Sequence, residues 1–159
     1  MCIRDSTKWC AEERPVEPGV VVAPPDSFAA RLDHTRLAFK EEMTRPAPGR
    51  LVLDARVAER YRGEVEPIDP RAGHIPGARN APYTRNLTDG PVRIFLSPSL
   101  LRERYAEVGA EAVEPIVYCG SGITACHDLL ALERAGLRGR LYPGSWSEWS
   151  SDPTLPSET

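Results

Sequence analysis

Pro115-Ile116-Val117-Tyr118-Cys119-Gly120-Ser121-Gly122-Ile123-Thr124-Ala125 reads as a buried strand, a glycine-flanked cysteine and the start of a helix. The apolar run Pro115 to Tyr118 leads into the cysteine, and Cys126-His127-Asp128-Leu129-Leu130-Ala131-Leu132 leads out with a helical pattern. A cysteine at a strand-to-helix turn meets several backbone N–H groups and the positive end of a helix dipole. Such a field favours the thiolate, the nucleophilic form of the side chain. The competing reading is a buried structural thiol, since cysteine is often fully buried. Gly120 and Gly122 argue against it, because a core cysteine needs no neighbours that permit positive φ or close backbone approach.

Working outward, four further strands are expected, at Phe28 to Leu32, Leu51 to Leu53, Ala78 to Ala81 and Arg140 to Tyr142. Helical segments are expected over Thr35 to Met43, Ala55 to Tyr61, Leu100 to Val108 and Thr124 to Ala135, with a final turn from Ser145 to Ser150. Ser97-Pro98-Ser99 is a helix start, Gly136 a helix stop, and Pro46-Ala47-Pro48-Gly49 another stop. Residues 62–77 read as a loop punctuated by Gly63, Pro67, Pro70, Gly73, Pro76 and Gly77. Short apolar strands alternating with helices predict an α/β fold: a central, mostly parallel five-stranded sheet with helices on both faces. In such sheets active groups gather at the carboxyl ends of strands, where both Cys119 and Asp54 fall.

Composition narrows the class. A net charge of -3 argues against nucleic acid or an anionic membrane as the main partner. No apolar stretch is long enough to span a bilayer, and the polar start has no signal-peptide core. The cysteines, Cys2, Cys10, Cys119 and Cys126, form no C-x-x-C pair, so zinc is not expected, and a reducing, cytoplasmic setting is. Met1-Cys2-Ile3-Arg4-Asp5-Ser6 looks like a translated sequencing adaptor, which would make the chain an N-terminally truncated fragment. Three segments follow: an adaptor-like start with a domain remnant and linker over 1–27, including the run Val20-Val21-Val22; a domain over 28–150; and a polar tail over 151–159.

Two chemistries use a cysteine cradled in this way. Phosphate ester hydrolysis needs an arginine to clamp the phosphoryl oxygens, usually six residues after the cysteine, where this chain has Ala125. Sulfur transfer needs a ring of N–H donors wide enough to hold a persulfide.

The loop Cys119 to Ala125 resembles the active-site loop of the rhodanese family of sulfurtransferases, in the form found in 3-mercaptopyruvate sulfurtransferases. Asp54-Ala55-Arg56, Gly73-His74-Ile75-Pro76-Gly77-Ala78 and Gly144-Ser145-Trp146-Ser147-Glu148-Trp149 extend the resemblance, in order, across about residues 28–150. It points to the catalytic C-terminal domain of a tandem-domain member, whose N-terminal rhodanese-like partner domain is missing here. It implies the rhodanese-like α/β fold and a small-molecule sulfur donor. A Cys119 persulfide and a thiol or cyanide acceptor follow, with no metal and no cofactor. The thiosulfate-specific loop has basic residues where Gly120 and Ser121 stand.

The resemblance also suggests roles. Cys119 is the expected nucleophile, with Ser121 beside it assisting proton movement. Gly120, Gly122, Ile123 and Thr124 are expected around the persulfide, Thr124 also serving as a helix cap. Arg60 is expected to reach a donor's anionic end. Mercaptopyruvate-type members carry a second arginine in this loop; Ile68 stands near its place, and Arg71 is the substitute at a different spacing. Asp54, Arg56 and His74 are read as loop organisers, Trp146 and Trp149 as core anchors, and Cys126 as a buried, inert thiol rather than a resolving one. The rival functions are thiosulfate sulfurtransfer, a non-catalytic sulfur carrier or interaction module, and, last, phosphatase activity.

Overall fold

Side-chain alternation along short strands builds a core on each side of a parallel sheet. The computed structural model describes residues 3–20, 22, 24–45 and 47–159. Met1 and Cys2 of the adaptor-like start, Val21 of the valine run and Pro46 of the predicted stop lie outside these residues. In chain order come α1 (Ile3–Ala11), α2 (Lys40–Met43), β1 (Val52–Asp54), α3 (Ala58–Tyr61), β2 (Arg79–Asn80), α4 (Pro98–Glu107), β3 (Ile116–Tyr118), α5 (Ile123–Arg134), β4 (Arg140–Leu141) and α6 (Ser145–Ser151).

The sheet has strand order β2-β1-β3-β4, with every pairing parallel. Val52, Leu53 and Asp54 stand opposite Ile116, Val117 and Tyr118. Leu53, Val117 and Cys119 point to one face, where they pack with Leu101 and Tyr105 of α4 and Ala125, Ala131 and Leu132 of α5. Val52, Ile116 and Tyr118 point to the other, against Met43, Tyr142, Trp146 and Trp149. A period of two thus sends neighbouring residues into separate cores.

Among the described residues four strands form where five were expected. Phe28 and Leu32 of the predicted first strand are 91% and 70% exposed and pair with nothing in the sheet. The chain reaches the sheet later, at Leu37, which makes a single parallel bridge to Leu141 of β4. That contact also splits the helix predicted over Thr35 to Met43. Ala38 donates its N–H to Leu141 O at 2.7 Å, so Leu37 to Phe39 stay extended between a turn at His34–Arg36 and α2.

α4 starts as expected, with Ser97 accepting from the Leu100 N–H and Pro98 in the first turn. The last residues are polar but held: His74 and Glu158 exchange backbone hydrogen bonds at 2.8 and 3.0 Å. No helix among the described residues is long and apolar enough to cross a membrane.

The order 2-1-3-4 has one consequence for the site. From β1 the chain moves outward to β2, then returns past β1 to lay down β3. The loops leaving β1 and β3 therefore diverge to opposite sides, and a crevice opens between them at the strands' carboxyl ends.

Candidate active site

That crevice is a cavity of about 380 Å³. From the β1 side come Arg56, Val57, Arg60, Ile68 and Asp69; from the β3 side come Cys119, Gly120, Ser121, Ile123 and Thr124. Tyr83 and Ser147 complete the wall. The fold therefore brings the sequence candidates Cys119, Ser121, Arg60, Gly120, Ile123 and Thr124 to one place.

Cys119 is 2% exposed and packs with the α4/α5 core while also lining the cavity. Its backbone is pinned from α6: the Cys119 N–H donates to Ser145 Oγ at 3.2 Å, and Cys119 O accepts from the Trp146 N–H at 2.9 Å. Gly120 O accepts from the Ser147 N–H at 2.9 Å. By contrast, the N–H groups of residues 120–125 find no acceptor among the described residues, and the next, Cys126, donates to Gly122 O at 3.3 Å. Free amides beside a sulfur, at the start of the twelve-residue α5, form a site where negative charge is welcome.

Gly122 makes the turn possible. It is the N-cap of α5 with φ +83°, and a Cβ there would sit 3.0 Å from Pro143 O. Gly122 is buried and does not itself line the cavity. Thr124 does not cap the helix, because α5 begins one residue earlier than predicted and Gly122 holds that place with no side-chain hydrogen bond. Ser121 is exposed at the mouth.

Arg60 leans over the loop: a Cβ on Gly120 would lie 3.4 Å from its Nη1. Its Nη2 donates to Glu66 Oε1 at 2.6 Å and Asp69 Oδ2 at 3.0 Å, and its Nε to Glu66 Oε2 at 3.3 Å. Nη1 has no acceptor among the described residues and is the prong left for a ligand. Burial pushes the Glu66 carboxyl up, but the Arg60 hydrogen bond and the amides of Asp69 and Ile68 outweigh it and hold it below its ordinary value.

Behind Arg60 lies a buried frame. Arg56 holds Asp54 through Nε and Nη2, reaches Glu66 Oε2 at 3.2 Å, and donates to Gly73 O at 2.6 Å. Its guanidinium lies 4.9 Å from the Trp146 ring centroid. Asp54 and Arg56 thus organise the loop, as expected, and His74 does so too, through Tyr61 O at 2.8 Å and a stack on the Tyr61 ring.

Two expectations fail. Arg71 is not at the cavity: its guanidinium donates to the carbonyls of Trp149, Ser150, Asp152 and Leu155 at 2.7–3.1 Å, so it cannot replace the second arginine. The cavity shows Ile68 instead, 75% exposed. Cys126 is exposed rather than buried, because its place in the first turn of α5 falls on the outer face. Desolvation and the neighbouring Cys119 push its thiol up, which keeps it protonated.

Other contributors were missed. Asp69 and Ser147 line the cavity and are joined by a 2.6 Å hydrogen bond. The signal for Ser147 lay in the quoted Gly144-to-Trp149 motif, which was read for its tryptophans alone. Ser145 adopts φ +56°, a conformation no side-chain pattern announces.

The chain is similar to known sulfurtransferases. It is 54% identical over 116 residues to a probable 3-mercaptopyruvate sulfurtransferase of Pseudomonas aeruginosa, covering 70% of this chain and 40% of that protein. The solved 3-mercaptopyruvate sulfurtransferase from Leishmania major matches 91% of this chain and 41% of its own, with 29% identity and a TM-score of 0.70. A solved probable thiosulfate sulfurtransferase matches 95% of this chain and 59% of its own, with 31% identity and a TM-score of 0.65. The chain spans less than two thirds of each. The rhodanese-like domain description fits residues 35–152, the span holding the sheet, both cores and the cavity, and the chain belongs to that family.

Proposed function

We propose that this chain carries a sulfurtransferase site in which Cys119 takes a sulfur atom from 3-mercaptopyruvate and passes it to a thiol or to cyanide. The observation that carries the reading is the unspent row of amides over residues 120–125 beside a cavity-lining cysteine. Donors aimed at where charge will develop stabilise an anion without reorganisation.

The first half-reaction balances as follows. The Cys119 thiolate attacks the donor's sulfur, and an S–S bond forms as the C–S bond breaks. The bonding pair leaves on carbon as the enolate of pyruvate. The enolate takes up the proton that the donor sulfur gives up, leaving a Cys119 persulfide anion. Ser121, the hydroxyl at the mouth, carries that proton. In the second half-reaction an acceptor thiol attacks the outer sulfur and leaves as a persulfide, restoring the Cys119 thiolate. Arg60 Nη1 grips the donor's carboxylate.

A second reading, thiosulfate as donor, is favoured by Ile68, which stands where mercaptopyruvate-type loops carry an arginine, and by the similarity to a probable thiosulfate sulfurtransferase. Mass spectrometry after treatment with each donor tests both. One added sulfur, lost in Cys119→Ser, is the expected result; no adduct with either donor would overturn the site. Turnover on the two donors then ranks them. An adduct that no acceptor can discharge would make the domain a sulfur carrier.

A further inference from the structure

We infer that Asp69 is a specificity-determining residue that sets the site against doubly charged donors; this rests on the sulfurtransferase reading above. The wall behind the cavity is overpaid in negative charge. Arg56 and Arg60 bring two guanidinium groups, and Asp54, Glu66 and Asp69 bring three carboxylates to them. The Arg60 side chain is 17% exposed, but Glu66 and Asp69 are only 4% and 5% exposed, so water screens them poorly. Of the three carboxylates only Asp69 lines the cavity.

Asp69 also fixes how Arg60 can bind. Its Oδ2 accepts from Arg60 Nη2 and its Oδ1 from Ser147 Oγ. With Nη2 and Nε engaged, Arg60 presents only Nη1 and cannot grip a ligand with its full fork. The cation's charge is already matched within the protein. What remains to hold an anion is the single Nη1 prong, the amide row and the helix terminus, whose dipole is worth about half a charge. A donor with one negative charge is held on these terms. A dianion such as thiosulfate brings a second charge that meets the Asp69 carboxylate, and both cations that line the cavity, Arg56 and Arg60, are already paired with carboxylates.

Asp69→Asn keeps the shape and can still accept from Ser147. It should raise kcat/KM for thiosulfate relative to mercaptopyruvate, on the order of tenfold and through KM. Equal change for the two donors, or a change confined to kcat, would overturn the inference. A binding arm needs no turnover: protection of Cys119 from iodoacetamide by sulfate and by methanesulfonate, anions of similar shape differing by one charge. In the unaltered chain sulfate should bind no more tightly than methanesulfonate; tighter sulfate binding would overturn the inference even if the variant fails to fold. Absence of any persulfide with either donor would instead refute the sulfurtransferase reading, and the protection arm repeated on Asp69→Asn, where sulfate should gain on methanesulfonate, would still decide the role of Asp69.

Discussion

At the scale of single residues, the least comfortable group is Asp128, on the buried side of α5. Its Oδ1 accepts from Asn86 Nδ2 at 2.7 Å, while its Oδ2 is buried with no hydrogen-bond partner among the described residues. Burial is the main cause that pushes its carboxyl from an ordinary 3.8 up to about 7, against the pull of Arg104 and Asn86. Between those values the folded chain holds a proton that the unfolded chain has lost. Stability is therefore greatest at the acid end of the window and declines as pH climbs through the folded value. Denaturation midpoints should fall between about pH 4 and about pH 7, and the neutral Asp128→Asn should flatten the decline. Identical slopes in the two proteins would show that Asp128 does not cause it. A polar residue inside a helix pattern gives no hint of this in the sequence. The same holds for Ser145, whose positive φ and bond to the Cys119 N–H depend on where α6 meets the β3 loop. The cavity positions of Cys119, Arg60 and Ser121 were legible because each sits in a local motif.

At the scale of elements, legibility follows burial pattern. β1 and β3 are buried on both faces and read as continuous apolar runs, so they were found nearly to the residue. β2 and β4 are each only two residues long and fall inside the predicted Ala78 to Ala81 and Arg140 to Tyr142. The predicted first strand failed because the final edge contact is one bridge at Leu37, too short to leave any alternation. The helix start at Gly122 carries the next prediction. Gly122→Ala places a Cβ at φ +83° and against Pro143 O at 3.0 Å. The left-handed backbone alone costs about 1–2 kcal/mol. The strain falls on the turn that presents the free amides, so iodoacetamide should modify Cys119 more slowly as well. Loss of stability with an unchanged alkylation rate would mean that the turn does not govern the thiol's surroundings.

At the scale of the whole molecule, the final residues brace the loop that frames the cavity. The family match ends at residue 152, yet Glu158 pairs with His74, Trp149 Nε1 donates to Pro156 O at 2.8 Å, and Leu155 packs against the second core. Arg71 ties the two together by binding four carbonyls between Trp149 and Leu155. The braced segment includes Gly73, whose carbonyl holds Arg56, and follows Glu66 and Asp69, which hold Arg60. Its tightness is plain at Gly73, where a Cβ would lie 2.2 Å from Glu158 O. Deleting residues 154–159 removes the two backbone hydrogen bonds between His74 and Glu158, the bonds of Trp149 Nε1 to Pro156 O and of Arg71 Nη1 to Leu155 O, and the burial of Leu155. At about 0.5–1.5 kcal/mol for each of these four bonds and about 1–2 kcal/mol for a partly buried leucine, the loss should be roughly 3–8 kcal/mol. Chemical denaturation measures that loss. Limited proteolysis within residues 62–77 measures whether the loop loosens with it. If the tail is a brace, Arg71→Met should reproduce both effects without changing the relative preference for the two sulfur donors. A shift in that preference would return Arg71 to the substrate's side of the molecule, and an uncleaved loop in the truncated chain would show that the frame around Arg60 stands without its strap.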